Sequence, residues 1–344
     1  MTATTLQRVA TLTMGAWLIG CGQHSPTSPS TSALSSGPLS FSVSPIDPDL
    51  IQFIVPLGNM GPWAHTLPTD HIYFYHHLNS GAFAPLSVVA PASGVVEFAL
   101  PPNASGEQKV GIRVNRTYLY YLDHVNLAPG VAAGATVQAG STLGTSSGIA
   151  FDFNVTNSGI FLGFVNPVRY GGSSGLTMST DAPLPYFVEP IRSRLYAKVQ
   201  RDGPDLDGRI NYDIAGTLSG NWFAADLPPT ASMSGDISTG GKQLAFARDA
   251  RHPDRPRISI GGLGMTGLYG IPADSPDFQN VTPLSGVVAY RLLNTGEPGG
   301  PPGTTQMGLL LIEMLDAARI RVEAVRETIV TTAVFTGNAQ VYVR

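Results

Sequence analysis

The residues best suited to chemistry are histidines and aspartates in the first half of the chain. The chain has 344 residues and 7 histidines, and five of these histidines lie between positions 65 and 124. Imidazole nitrogen and carboxylate oxygen are common zinc ligands, and histidine is also the most frequent acid–base group in enzymes. We therefore expect any catalytic or metal site to lie in this region. The five histidines are His65, His71, His76, His77 and His124.

Some of these residues have simpler explanations. His76 and His77 come just before Asn79-Ser80-Gly81, a turn signal, so we expect both imidazoles to face solvent. Asp123 and His124 are neighbours in a predicted strand, where successive side chains point to opposite faces of the sheet. We therefore expect these two side chains to point apart and not to act as a pair.

The elements that position these side chains are predicted to be short β-strands. Glycine (39 residues) and proline (28 residues) are abundant, and charged residues make up only 13% of the chain. Because both glycine and proline interrupt helices, this composition favours strands joined by many turns. At least eight apolar segments of strand length follow residue 186, which predicts an antiparallel β-barrel or sandwich there. The fold class is therefore predicted to be mostly β.

The composition divides the chain into a leader, a tether and two domains. Residues 1–20 are predicted to be a lipoprotein signal peptide, and 21–45, rich in serine, threonine and proline, a disordered tether. A first domain is predicted over 46–175 and a second over 186–344, with a stretch rich in glycine, serine and proline between them. Trp222 is expected to be a core residue of the second domain.

The single cysteine, Cys21, indicates a cellular location. It follows Leu18-Ile19-Gly20 and a mostly apolar run that begins at Val9. This run is shorter than the roughly 20 residues that a bilayer requires, but it has the length of a signal-peptide core. A small residue directly before a cysteine resembles the bacterial lipobox, which implies that Cys21 is lipidated and holds the protein on a membrane of the cell envelope, outside the cytoplasm. The net charge of −4 and the lack of a basic patch argue against nucleic acid as a partner.

Four sequence blocks follow one another in an order that is typical of one peptidase family. They are His65–His71 (HTLPTDH), Val89–Val96 (VAPASGVV), Tyr120–Val125 (YYLDHV) and Gly134–Gly144 (GATVQAGSTLG). This succession resembles the lysostaphin-type (LytM-like) zinc endopeptidases, which cut peptide cross-links in bacterial cell walls. The resemblance covers about a third of the chain, from Leu57 to Val155. It implies a lysostaphin-type β-sandwich, similar to a barrel-sandwich hybrid, for the first domain.

The resemblance also implies a zinc site, from which this chain departs. His65 and Asp70 correspond to the family's first ligand pair, and His71 is an alternative to Asp70. The two histidines of the family's last strand fall on Ala150 and Asp152. A carboxylate can coordinate zinc, whereas an alanine can neither bind a metal nor donate a proton. The predicted ligand set is therefore degenerate. Its members are His65, Asp70, His71 and Asp152.

The resemblance places His124 where the family has a catalytic histidine that stabilises the oxyanion. Removing one such donor commonly lowers the rate by about 10²–10³, so the missing imidazole at Ala150 predicts poor catalysis. We expect a non-catalytic domain that binds peptidoglycan or an envelope protein. The alternative is a zinc-dependent cell-wall endopeptidase. A third possibility is a lipid or small-molecule carrier that uses the C-terminal barrel.

Overall fold

Two antiparallel β-sheets contain most of the regular structure of the protein. The computed structural model describes residues 37–62, 64–76, 85–170, 176–229, 237–295, 300–326 and 334–344. All of these residues belong to one compact unit, Ala33–Arg344. The boundaries of the two domains given above remain a prediction.

The first sheet has ten strands. They are β1 (Phe53–Val55), β2 (Ile72–Tyr75), β3 (Leu86–Val89), β4 (Gly94–Ala99), β5 (Gln108–Arg113), β6 (Tyr118–Leu127), β7 (Thr136–Val137), β8 (Thr142–Ser146), β9 (Ala150–Asn157) and β10 (Thr180–Asp181). The main order is β1-β2-β9-β6-β5-β4-β7, β8 pairs with both β3 and β6, and β10 pairs with β9. Since β10 lies in the stretch predicted as a linker, part of that stretch belongs to the sheet.

Alternation along the central strands separates a packing face from a polar face. Phe74 of β2 lies opposite Phe151 of β9, and their rings stack with centroids 5.1 Å apart in the core. The next pair along, Tyr73 and Asp152, is also in register and points to the other face. Successive side chains of a strand alternate in this way. The polar face carries the candidate site.

The second sheet is a closed barrel of eight strands in sequence order. They are β11 (Gly220–Ala224), β12 (Gln243–Arg248), β13 (Pro256–Ile260), β14 (Gly267–Gly270), β15 (Val287–Leu293), β16 (Gln306–Asp316), β17 (Arg319–Val325) and β18 (Gln340–Val343). Large side chains, including Trp222, Phe246 and Tyr290, are fully buried in the barrel core. The prediction of a mostly β chain that ends in an antiparallel barrel or sandwich is confirmed, and the sheet is a barrel.

The helices are short. They are α1 (Ile191–Tyr196) and α2 (Ile237–Gly240), with 3-10 turns at Pro48–Leu50, Pro167–Tyr170, Thr177–Ser179, Leu184–Tyr186, Phe278–Asn280 and Pro283–Ser285. Within the described residues, no helix has the length and apolar character needed to cross a bilayer.

The predicted tether is too long at its C-terminal end. Leu39 and Phe41 are buried, and the Phe41 ring packs against Tyr120 and Phe187. Backbone hydrogen bonds also attach the segment, among them one from the N–H of Phe41 to the carbonyl of Tyr186 at 2.8 Å. Residues 37–45 therefore belong to the folded part, and the predicted tether 21–45 is corrected to end before Gly37. Residues 1–36, including Cys21, lie outside the described residues.

Candidate functional site

The candidate site is a cavity of about 430 Å³ on the polar face of the first sheet. The four predicted ligands and His124 all line it, so the structure brings together every predicted site residue that it describes.

Asp70 precedes β2 and is bound by its neighbours through both carboxylate oxygens. Oδ1 accepts a hydrogen bond from Tyr121 Oη at 2.7 Å and lies 3.1 Å from His71 Nδ1. Oδ2 accepts from Thr177 Oγ1 at 2.6 Å. Burial alone would raise the pKa of Asp70, but the hydrogen bonds from His71 and Thr177 and the nearby charge of Lys109 outweigh it and hold this pKa well below its ordinary value. Asp70 is therefore an ionised carboxylate that already has its partners.

His71 connects Asp70 to Asp152 on β9. Its Nε2 is 3.2 Å from Asp152 Oδ2. This distance would allow a hydrogen bond, but the buried Nε2 makes none. The two groups are therefore poorly aligned for one. We regard the contact as a close electrostatic pair. Burial raises the pKa of the Asp152 carboxyl, and the charges of His71 and His124 oppose this rise.

A β-bulge brings Asp123 and His124 to the same cavity. Between the pairs Gln108–Val125 and Val110–Leu122, β6 has two residues where β5 has only Lys109. His124 has a φ of 64°, which few residues other than glycine adopt. The extra residue breaks the alternation of side chains. The expectation that Asp123 and His124 point apart was therefore wrong, since both line the cavity.

His124 extends the row of charged groups. Its Nε2 is 3.6 Å from Asp152 Oδ2, and its Nδ1 is 3.0 Å from Glu107 Oε2. Burial would lower the pKa of His124, but Asp152 and Glu107 outweigh it, so the pKa is raised. Carboxylate and imidazole thus alternate along the cavity wall. The row, named here the acid–imidazole row, is Asp70, His71, Asp152, His124 and Glu107.

His65 lies beside this row. Its ring centroid is 5.5 Å from that of His71. Burial, together with the charge of His71, lowers the pKa of His65 to about 4. Its imidazole is therefore neutral near pH 7.

Lys109 places a fixed positive charge in the cavity. Its Nζ is 3.4 Å from Asp123 Oδ2 and lies 4.2 Å from the centroid of the Tyr121 ring. An ammonium in this position neutralises part of the carboxylate charge that would attract a metal ion. The sequence analysis did not identify Glu107, Lys109 or Tyr121. Lys109 lies on β5 and Tyr121 on the neighbouring strand β6. Strand alternation, which places both on the cavity face, is the feature of the sequence that could have identified them.

The barrel forms part of the cavity wall. Asn221 of β11 and Gln243 of β12 both line the cavity. Asn221 is fixed by a hydrogen bond from its Nδ2 to Tyr170 Oη at 3.0 Å. Next to His65, the fully buried Thr66 donates from Oγ1 to the carbonyl of Gly240 at 3.0 Å. The loop that carries His65 is thereby attached to the barrel.

These side chains do not fit the predicted zinc site. Among the residues that the structure describes, no three histidine, cysteine, aspartate or glutamate side chains are arranged to hold a metal ion. The oxygens of Asp70, a ligand position in the family, are bound by protein groups. Ala150 lies opposite Tyr75 at the start of β9 and supplies no donor atom.

His76 also differs from its prediction. We expected it to face solvent, but it is buried, and its Nε2 lies 3.0 Å from Ser146 Oγ. Its backbone N–H donates to the carbonyl of Ile149 at 2.9 Å, so the contact with this segment continues past the end of β2. His77 lies outside the described residues.

Comparisons with known proteins give similarity to solved structures alone. No family model matches the chain, and no curated protein matches it. Csd3 of Helicobacter pylori is 19% identical, with 35% of this chain and 32% of that chain covered and a TM-score of 0.27. The deep-sea M23 metalloprotease pseudoalterin is 17% identical over 36% of this chain and 73% of that chain, with a TM-score of 0.25. Lysostaphin is 12% identical over 90% of this chain and 92% of that chain, with a TM-score of 0.27.

The chain thus spans about a third of the length of Csd3. Because all three TM-scores are low, these similarities support no statement about the activity of this chain.

Proposed function

We propose that this protein is lipid-anchored in the cell envelope through Cys21 and that its peptidase-like first domain is a binding module without hydrolytic activity. The ligand is a peptide portion of the cell wall or of an envelope protein, held in the cavity beside the acid–imidazole row. The anchor is supported by the lipobox-like sequence before Cys21.

The observation that carries the proposal is that the Asp70 carboxylate already accepts hydrogen bonds from Tyr121 and Thr177 and lies 3.1 Å from His71 Nδ1. A zinc hydrolase requires protein ligands that are free to bind the ion and an open position for water. Here a ligand position is taken by internal hydrogen bonds, and Ala150 lacks a donor. Catalysis would need both positions to change.

The cavity is suited to a peptide. It is lined by carboxylates, by Lys109 and by apolar side chains, among them Leu67, Leu100 and Phe164. A peptide offers amide groups, charged ends and apolar side chains, and binding sites commonly combine an apolar lining with a few placed polar groups. We infer that the acid–imidazole row orients charged groups of the ligand.

Metal analysis and a binding assay test this proposal together. The purified mature protein, without a histidine tag, is analysed for zinc, incubated with peptidoglycan to detect hydrolysis, and sedimented with insoluble peptidoglycan and with envelope extracts. We expect no stoichiometric zinc, no hydrolysis, and co-sedimentation that is weakened by His124→Gln. The matched control is His252→Gln, because His252 pairs with Asp202 and does not line the cavity.

Stoichiometric zinc that is lost in His65→Ala, together with loss of hydrolysis, would establish the zinc endopeptidase and overturn the proposal. The carrier function has less support, since large side chains fill the barrel core. A lipid that co-purifies with the full chain and is displaced by mutations in the barrel core would favour it.

A further inference from the structure

One surface loop exposes apolar side chains without any charge among them. Residues 158–168 (SGIFLGFVNPV) contain no acidic or basic residue. Phe161 is 71% exposed and Val168 59% exposed, and Val165 is also exposed. Single exposed apolar residues are normal, but an uncharged group of them on one loop is typical of a binding surface.

The loop has a defined conformation that directs Phe161 outward. The backbone N–H of Leu162 donates to the carbonyl of Met178 at 2.9 Å, and that of Val165 donates to Asp213 Oδ2 at 2.9 Å. The Phe164 ring is buried and stacks on Tyr170 with centroids 3.8 Å apart. One phenylalanine of the loop thus anchors it to the protein while the other faces outward.

The loop begins beside the point where the described chain starts. The carbonyl of Gly37 accepts a hydrogen bond from Asn115 Nδ2 at 2.8 Å. In the same turn, the carbonyl of Thr117 accepts from the backbone N–H of Ser158 at 2.9 Å. Between these two contacts lies Arg116, which is exposed. Gly37, where the described chain starts, and the first residue of the uncharged loop therefore contact the same turn.

Few residues lie between this turn and Cys21. Gly37 follows Cys21 by sixteen positions, with residues 22–36 between them. A chain segment from Cys21 to Gly37 can span at most about 53–58 Å. If Cys21 is acylated, the lipid surface is thus within reach of Phe161.

We propose that the loop 158–168 contacts the membrane and inserts Phe161 into its interfacial region, next to the lipid anchor. The proposal rests on the lipid anchor of the proposed function. Aromatic side chains are well suited to this region, and Arg116 can approach anionic headgroups. Stable attachment commonly combines an acyl chain with a second contact. The loop supplies that contact and fixes which side of the protein faces the bilayer.

Labelling of single cysteines tests the insertion. In the lipidated full chain the sulfur of Cys21 carries the diacylglyceryl group, so Phe161→Cys creates one reactive thiol for an environment-sensitive fluorophore. The matched control is Val334→Cys, because Val334 is 82% exposed and lies in the connection between β17 and β18 of the barrel. The labelled proteins are placed in vesicles of phosphatidylcholine and phosphatidylglycerol.

We expect the label at position 161 to shift its emission to the blue and to be quenched by spin-labelled lipids, and the label at position 334 to behave as in water. Equal exposure of both labels to water would overturn the proposal. Flotation of the lipidated chain that carries Phe161→Ser tests the anchor separately, since this variant lacks the inserting side chain.

A second assay works even if Cys21 is not lipidated. The full chain with Cys21→Ser is titrated with the same vesicles, alone and combined with Phe161→Ser or Val334→Ser. Withdrawing an exposed phenylalanine from lipid is expected to weaken partitioning about tenfold, whereas Val334→Ser leaves it unchanged. Equal partitioning of all three chains would overturn the proposal. So would a Phe161→Ser effect seen only on self-association in analytical ultracentrifugation.

Discussion

Replacing Asp70 with asparagine separates a structural carboxylate from a metal ligand. The asparagine side chain would keep nearly the same shape but lose the charge. It would also place an NH₂ group, which donates, where one of the two carboxylate oxygens now accepts a hydrogen bond. If Asp70 serves the fold, Asp70→Asn destabilises the metal-free protein. If it serves as a ligand, the substitution leaves the metal-free protein nearly unchanged and affects metal binding.

The expected size of the effect follows from the three partners of Asp70. Tyr121 and Thr177 donate at 2.7 and 2.6 Å, and His71 Nδ1 lies at 3.1 Å. A hydrogen bond to a charged group contributes about 1.5–3 kcal/mol. Asparagine retains one acceptor oxygen, so we expect a loss of about 2–3 kcal/mol in the free energy of unfolding. Because the pKa of Asp70 is below its ordinary value, the difference is full above about pH 4 and shrinks as the pH falls below it.

Urea unfolding at pH 7, in chelator and then with added zinc, measures this loss. The control is Asp226→Asn, which removes the same charge from a pair with Lys242 at 2.6 Å. Since the Asp226 side chain is 70% exposed, its substitution is expected to leave stability nearly unchanged. An Asp70→Asn loss no larger than that of the control in chelator, with a deficit that appears only when zinc is present, would refute the structural role.

Three further predictions concern His65, Arg344 and Ala150. The pKa of His65 falls from 6.5 to about 4 on folding, so between these values the unfolded chain binds more protons, and stability should decrease as the pH falls, by about 3 kcal/mol in total. Urea unfolding at pH 6.5 and 4.5 should show about 2 kcal/mol of this loss in the parent and not in His65→Gln. Arg344 donates to four backbone carbonyls, and its guanidinium lies 3.8 Å from the centroid of the Trp222 ring. Arg344→Met should lower the free energy of unfolding in urea by about 2–4 kcal/mol, and Arg344→Lys should restore little of this loss. Ala150→His should produce no zinc-dependent peptidoglycan hydrolysis, because Asp70 stays bound by its partners; measurable turnover would contradict this.

The fold class and the location of the cavity could be predicted from the sequence because each depends on residue types that repeat locally. Glycine and proline abundance with apolar segments of strand length indicated strands, and the described site residues predicted from the sequence line one cavity. The same local patterns underlie the confirmed antiparallel barrel.

The roles of individual site residues could not be predicted in the same way. Whether Asp70 is free depends on Tyr121 and Thr177, which are 51 and 107 positions away along the chain. No spacing rule connects residues that meet only after the sheet has formed. Likewise, strand alternation gave a wrong orientation for His124. The bulge places one extra residue of β6 opposite Lys109, and this changes the alternation of the side chains that follow.

The hydrogen bond from Thr66 to the carbonyl of Gly240 has a consequence for how such chains diversify. It connects the segment next to His65 to the strand-connecting region of the barrel across 174 positions. A first half transplanted onto a different C-terminal half would lose this attachment and, with it, the wall formed by Asn221. Substitutions in the barrel can therefore reshape the cavity while every histidine stays in place.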